Sequence, residues 1–400
     1  MVAFTPDAEL SGPTMMTAIR ARDERVLLRK AWTVGGASTY VFHDDPSSDA
    51  HFELRGSASI GVGAYAFGLL RAGTRLLAES PLLELALQHV CEERISAAAS
   101  QLSFRAQREF NDLCMHGVVD DREKTGMGRW LSNAYPTDED PEEFGAVFRV
   151  ACKFNHSCRP NARITWNARM RKMTIHTLAD VAAGAEIHVC YAMELLEGGG
   201  CREMRQATLH ERFGFTCACA LCQLDLCSPA LTASDERRAR LQQLAGDIVD
   251  CQGNVPALVL ARLELLRAEG LAPSVESMAV AHAYAQFTGD QDGAQNWARL
   301  AEESARMQLG DDSDDCLKWT DDYLKLASSS SRGGAAAGDR AAPLMIALAT
   351  FCLRTGQALP VNKQTAEADE QLAAMEARLR AAEAELAELE RMDAQMAART

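Results

Sequence analysis

Three thiols fall within six residues at Cys217-Ala218-Cys219-Ala220-Leu221-Cys222, just after the aromatic pair Phe213 and Phe215. A C-x-C-x2-C run packs too many thiolates together for chance burial, and a closed zinc site is the arrangement that wants them. Three are one short of a tetrahedron, so a fourth ligand has to come from elsewhere. Cys227 downstream would make a self-contained knuckle. Cys158, far upstream in Asn155-His156-Ser157-Cys158-Arg159-Pro160-Asn161, would instead tie two distant stretches together. The 13 cysteines are odd in number, and the start of the chain, Met1 to Arg20, lacks the basic-then-apolar layout of a secretion signal. An intracellular, reducing compartment is expected, nucleus or cytoplasm, in which clustered cysteines read as metal ligands before disulfides.

The 400 residues leave room for two or three domains. Acidic side chains outnumber basic ones, 56 to 41, and the net charge of −15 argues against a broad phosphate-binding surface, so no direct nucleic-acid partner is expected. No apolar run approaches the roughly 18 residues of a bilayer span, the closest being Ala341 to Leu353, so no membrane partner is expected either. The acidic side chains Asp311, Asp312, Asp314, Asp315, Asp321 and Asp322 read either as a solvated face or as an attractor for a lysine-rich peptide.

Periodicity divides the chain further. Residues 1–50 carry a candidate helix, Met15 to Lys30, and no assignable role. Residues 51–191 are β-rich: Phe52 to Leu83 has short alternating segments punctuated by glycine, and alternation returns in Ala162 to Leu178 with a hairpin turn at Asn167 to Arg169, then in Glu186 to Tyr191. At about 84–143 the apolar spacing turns helical (Leu82, Leu85, Leu87, Val90; Leu102, Phe110, Leu113), which predicts a helical insertion. A cysteine-rich segment, 192–227, leads into a helical domain, 228–326, with helices expected at Arg237 to Val249, Val255 to Glu269, Val275 to Phe287, Ala294 to Gln308 and Cys316 to Leu326. Within it, Val275 to Gln308 has the length of one tetratricopeptide unit, with small residues at Gly289, Ala294 and Ala301. A Ser/Gly/Ala-rich stretch, 327–342, reads as a flexible linker to a helical tail, 343–400. In that tail Leu372, Met375, Leu379, Ala382, Leu386, Leu389 and Met396 fall on heptad positions. The tail is either a short coiled coil for self- or partner association or a single amphipathic helix.

Three other constellations are weaker alone. Asn155 to Asn161 is a polar, turn-forming loop beside the apolar Phe148, Val150 and Phe154; His156 and Cys158 sit too close in one loop for a hydrolase dyad. Gly61-Val62-Gly63 permits close approach of backbone to a ligand and equally makes a β-turn; no third glycine follows at dinucleotide-binding spacing. In Gly184-Ala185-Glu186-Ile187-His188-Val189-Cys190-Tyr191 a turn glycine leads into a strand that ends in tyrosine, a residue more often placed there for packing.

The order of these elements is distinctive: G-x-G, N-H-S-C-x-P-N, G-x-E-I-x-x-x-Y, then F-x-C-x-C-x2-C. In that order the chain resembles the SET-domain protein lysine methyltransferases, and its long helical half resembles the SET-and-MYND branch and its fungal relatives. It departs from that branch in the insertion, where Cys91, Cys114 and His116 are too few for a MYND finger. The resemblance implies an α+β class: a β-rich SET fold with a helical insertion, a cysteine-rich post-SET zinc segment and an all-α, repeat-like C-terminal domain. It implies S-adenosyl-L-methionine and one zinc ion as cofactors, and methyl transfer to lysine of a protein or peptide, a histone among the candidates. Carried over by position, Gly61, Val62, Gly63 and Ala64 would bring main chain against the cofactor. Asn155 would grip it through its side chain, His156 largely through its backbone, and Phe215 would lie against the adenine. Tyr191 would be the catalytic tyrosine. Cys158, Cys217, Cys219 and Cys222 would bind zinc, with Cys227 the alternative to Cys158. The competing expectation is a SET-like scaffold that binds partners through its helical half. A methyltransferase of doubly wound α/β fold lacks the required βαβ series. Trp166, Phe148 and Phe213 are the aromatic candidates for a channel around the lysine.

Overall fold

Glycine and alanine in Gly61-Val62-Gly63-Ala64-Tyr65-Ala66 leave room for strands on both sides, and that strand becomes the hub of the fold. The computed structural model describes residues 51–57, 61–115, 125–137, 144–192, 195, 197–250 and 253–329, together with the backbone of 29–34 and 37–41. Of the linker expected at 327–342 only residues 327–329 are described, and they are helical; the rest of it, the tail expected at 343–400 and most of the first fifty residues lie outside the described residues. Of the helix expected at Met15 to Lys30, only Arg29 and Lys30 are described, and they open a strand.

Twelve strands are described. β1 (Arg29–Val34), β2 (Ala37–Val41), β3 (Phe52–Ser57), β4 (Gly61–Ala66), β12 (Glu186–Val189) and β9 (Asn155–His156) form one sheet in the order β1-β2-β3-β4-β12-β9. β3 and β4 pair from Phe52 opposite Ala66 to Ser57 opposite Gly61, and Gly61 has φ +75°, which a side chain would strain. Alternation sends Phe52, Leu54, Ala64 and Ala66 into a core shared with Phe148, Phe154, Ile175, Ile187 and Val189.

A second sheet orders β10 (Ala162–Asn167), β11 (Lys172–Thr177) and β5 (Arg75–Glu79). Its hairpin turns at residues 168–171, where the Asn167 side chain accepts from the Met170 N–H at 3.0 Å.

The insertion is less helical than its sequence suggests. α1 (Glu92–Ser100), α2 (Phe104–Asn111) and α3 (Gly126–Asn133) form around Ile95, Leu102, Phe110, Leu113 and Trp130. Leu85, read as helical by spacing, lies instead in β6 (Leu83–Ala86), which pairs with β8 (Phe144–Val147), itself paired with β7 (Ala134–Pro136). The partner strand β8 overrides a short leucine pattern that fits either period.

Beyond residue 200 the described chain is helical, apart from the thiol-bearing turns of 214–228. α4 (Arg202–Phe213) stops at Gly214 in the left-handed region, φ +71°. Five helices follow: α5 (Pro229–Val249), α6 (Val255–Glu269), α7 (Val275–Thr288), α8 (Gln291–Leu309) and α9 (Asp314–Ser329). α5 begins two turns before the expected Arg237, because Ser228 caps it and Pro229 stands in the first turn. α9 continues past Leu326 to Ser329. Val259, Met278, Ala281, Trp297, Ala301, Ala305 and Trp319 lie in one core, and the expected small residues Ala294 and Ala301 are fully buried within it.

Two junctions join sheet and helices. At the hairpin junction, Arg75 forms a bidentate pair with Asp312, at 2.9 Å for Nη1 to Oδ2, and its Nε donates to Nε2 of buried His176 at 3.0 Å. Asn167 donates to Asp312 at 3.1 Å, and Arg163 donates to Gln308 at 2.6 Å. Of the acidic residues that could have attracted a basic peptide, Asp312 is thus taken up internally, while Asp314 faces Arg169 at 3.8 Å and Asp321 pairs with Lys325. The other junction surrounds the thiols.

Candidate functional site

β12 pairs antiparallel with β4, Ile187 opposite Ala64, and parallel with β9, Val189 opposite His156. That register sets the Gly61–Ala64 stretch, the Asn155-His156 pair and the chain leading to Tyr191 on three adjacent strands. Asn161 pins the arrangement from below: its side chain donates to the Glu186 carbonyl at 2.9 Å and accepts from the His188 N–H at 2.7 Å.

Gly63 lies where a Cβ would collide with the Glu186 carboxylate and come within 2.9 Å of the Asn155 amide nitrogen. The missing side chain leaves room for the Asn155 amide and the Glu186 carboxylate to close over β4. Asn155 donates to Glu186 Oε1 at 2.7 Å, and Tyr65 and His188 converge on the same carboxylate. Burial alone would raise the Glu186 carboxyl, but hydrogen bonds from His188 and Asn155 hold it below the ordinary range. Glu186 was not among the sequence candidates, because a glutamate in a strand beside a glycine turn carries no signal of its own.

The His156 ring is fixed at both nitrogens. Nδ1 accepts from the Tyr191 N–H at 3.1 Å, so Nε2 carries the proton toward Cys158 Sγ, 3.4 Å away. Burial pushes its pKa down to about 4, which keeps the ring neutral. Tyr191 packs its ring against His156, Phe213 and Phe215 at centroid distances of 5.3, 5.5 and 6.1 Å, and Phe215 lies 6.0 Å from His156. The Tyr191 hydroxyl donates to the Phe154 carbonyl at 3.0 Å, and burial raises its pKa well above the usual phenol range. Of the aromatic candidates, Phe213 meets Tyr191. Phe148 meets Tyr135 at 6.4 Å, and Trp166 packs on the sheet core. Tyr135, absent from the sequence candidates, is partly buried against the sheet core, and burial and then the neighbouring Tyr191 raise its phenol.

The Sγ atoms of Cys158, Cys217, Cys219 and Cys222 all lie within 4.8 Å of one another. Cys158 stands 3.9 Å from Cys217 and 3.6 Å from Cys222. A tetrahedron with zinc–sulfur bonds near 2.3 Å has sulfur–sulfur edges of about 3.8 Å, so the donor set fits that ion in type, number and size. Cys227, the alternative ligand, is exposed, and its N–H is taken by Asp225 at 2.8 Å. Among the described residues this is the one cluster of its kind.

Charges buried around the thiols were invisible to motif reading. The Glu269 carboxylate, with no exposed side-chain surface, accepts from Ser234 at 2.6 Å, Arg238 and Arg237 at 2.9 Å and Arg159 at 3.0 Å. Arg238 in turn donates to the Cys158 carbonyl at 2.8 Å. Helix phase held the clue: Leu231, Ser234, Arg238, Leu241, Ala245 and Ile248 form the buried stripe of α5, and Val255, Val259, Arg262, Leu266 and Glu269 that of α6. A charge on an apolar stripe calls for a buried partner.

Residues 24–192 match the SET domain family. The chain is 29% identical over 265 residues to Histone-lysine N-methyltransferase set5 of Schizosaccharomyces pombe, covering 64% of this chain and 79% of that protein. Over 80 residues it is 40% identical to Histone-lysine N-methyltransferase ATXR4 of Arabidopsis thaliana, 20% of this chain and 22% of that protein. Over 97 residues it is 32% identical to Protein-lysine N-trimethyltransferase SMYD5 of Gallus gallus, 24% of this chain and 23% of that protein. The chain therefore carries a SET domain, followed by a helical C-terminal region, and is homologous to fungal Set5 and to the SMYD5 lysine methyltransferases.

Proposed function

We propose that the protein transfers a methyl group from S-adenosyl-L-methionine to the side-chain amine of lysine in a protein substrate, histones included. The observation that carries this reading is the three-strand convergence: the glycine-bearing strand β4, the Asn155-His156 strand and Tyr191 meet above a set of four thiols. The relatives' names supply the substrate class, protein lysine.

When bound, S-adenosyl-L-methionine supplies an electrophilic methyl group on a sulfonium. Gly61, Val62, Gly63 and Ala64 would offer main chain to it, with Asn155, His156 and Phe215 as its further contacts. In-line displacement asks the protein for alignment and water exclusion more than for a base. The phenols of Tyr191 and Tyr135, raised by burial, stay protonated at neutral pH, so neither draws a proton from the amine. A lysine entering among Tyr191, Phe213 and Phe215 loses water, which lowers its pKa and favours the neutral nucleophile. The Tyr191 hydroxyl and Phe154 carbonyl are the polar atoms that would orient it. Cys158, Cys217, Cys219 and Cys222 would hold one zinc ion, fixing the Asn155-His156 strand to the segment that carries Phe213 and Phe215.

The test is incubation with methyl-labelled cofactor and a panel of basic proteins, read by mass spectrometry for methyl-lysine. Tyr191→Phe is expected to lower the rate about 100-fold by loosening alignment, with cofactor binding kept. A scaffold reading draws on the Tyr191 hydroxyl, whose bond to the Phe154 carbonyl is also what a structural tyrosine makes. Cofactor binding with no methyl transfer to any protein would favour that reading and overturn the first.

A further inference from the structure

Arg205 of α4 has no exposed side-chain surface, yet only one of its three guanidinium nitrogens is anchored to oxygen. Nη1 donates to the Gly200 carbonyl at 2.9 Å and lies 3.3 Å from Asp235, itself partly exposed. Nε and Nη2 are buried and make no hydrogen bond. The guanidinium lies within side-chain reach of the Cys222 thiol, and Cys158 is close enough to share its field. A fully buried cation with free N–H groups is costly unless an anion stands before it. Four thiolates around a divalent zinc carry a net charge of two minus, an anion of the required sign.

We infer that Arg205 is the outer-sphere cation of the thiolate centre, its Nε and Nη2 donating to thiolate sulfur on the Cys222 side when the metal is bound. This assignment rests on the zinc reading above and extends it. His156 Nε2–H serves the Cys158 side in the same way, so the two donors flank the sulfur cage from the β-rich region and from α4. Arg205 is a positioning residue: it acts through the sulfurs and touches no substrate. Outer-shell partners of this kind fix ligand orientation and basicity, and their loss costs about 10- to 100-fold in metal affinity.

The experiment compares the full chain with Arg205→Met and Arg205→Lys, using zinc competition against a chromogenic chelator and absorption spectra of the cobalt(II)-substituted proteins. Arg205→Met is expected to weaken zinc binding about 10- to 100-fold and to move the thiolate-to-cobalt charge-transfer band to longer wavelength, because a sulfur relieved of its hydrogen bond gives up an electron more easily. Arg205→Lys keeps the charge but not the planar fork, so it is expected to shift the band with a smaller loss of affinity. Should Arg205→Met fail to fold, the lysine variant still reads the band. A folded variant with unchanged affinity and an unchanged band overturns the assignment, even though the wild type holds zinc. A wild-type chain that takes up neither zinc nor cobalt overturns the metal reading as well.

Discussion

At the thiol junction Arg238, Glu269 and Arg205 are wholly buried, whereas at the hairpin junction the side chains of Arg75 and Asp312 keep 31% and 37% of their surface in solvent. Both junctions tie the β-rich region to the helices, but with different dependence on conditions. Buried charges cannot be replaced by water once a partner is lost, so the thiol junction is all-or-none. The half-exposed pair is screened by salt and replaceable by solvent, so the hairpin junction is adjustable. The unyielding junction lies under His156 and Tyr191, the positions that a methyl-transfer site would need held still.

The largest expected effect comes from Glu269→Gln, which leaves Arg159, Arg237 and Arg238 facing a neutral amide. A loss of about 3–5 kcal/mol is expected in denaturant unfolding, the range for breaking a buried ion pair. A loss below 1 kcal/mol would mean that this network is no stiffer than the hairpin junction.

His176 comes next. Burial, then Arg75, pushes its pKa down to about 4 from an ordinary value near 6.5, with Asp312 and Asp311 opposing. A histidine depressed on folding binds its proton more readily in the unfolded chain, so its contribution is whole above pH 6.5 and is lost as pH falls toward 4. That contribution is about 3 kcal/mol at most. His176→Gln should flatten the acid limb of a stability-versus-pH curve between those limits, and an unflattened limb would move the acid sensitivity elsewhere.

Asp312→Asn should have the smallest effect, about 0.5–1 kcal/mol, and should shrink further in high salt. A salt-independent loss of several kcal/mol would erase the contrast between the two junctions.

The legible parts of the sequence were those with local periodicity or fixed spacing. The helices at Val255–Glu269 and Val275–Thr288 and the hairpin of Ala162–Asn167 with Lys172–Thr177 follow patterns that short-range packing enforces. Leu85 misled because so short a leucine spacing fits either period, and the partner strand at Phe144–Val147 decided it. In the site, motif order brought Gly63, Asn155, Cys158, Tyr191 and the three later thiols to notice, but spacing alone left Cys227 open as a ligand. Glu186, Arg205, Arg238, Glu269 and Tyr135 escaped because a buried charge or phenol is defined by distant partners. Arg238 and Glu269 could have been found by asking which charged residues share phase with the apolar stripes of their helices.

On the proposed function, one metal-bound thiolate cage supports one cofactor site. Native mass spectrometry of the full chain with S-adenosyl-L-methionine, before and after zinc is stripped, tests it most directly. One zinc and one cofactor per chain, with cofactor binding lost on stripping, is the predicted result; a zinc-free chain that binds the cofactor equally well would contradict it.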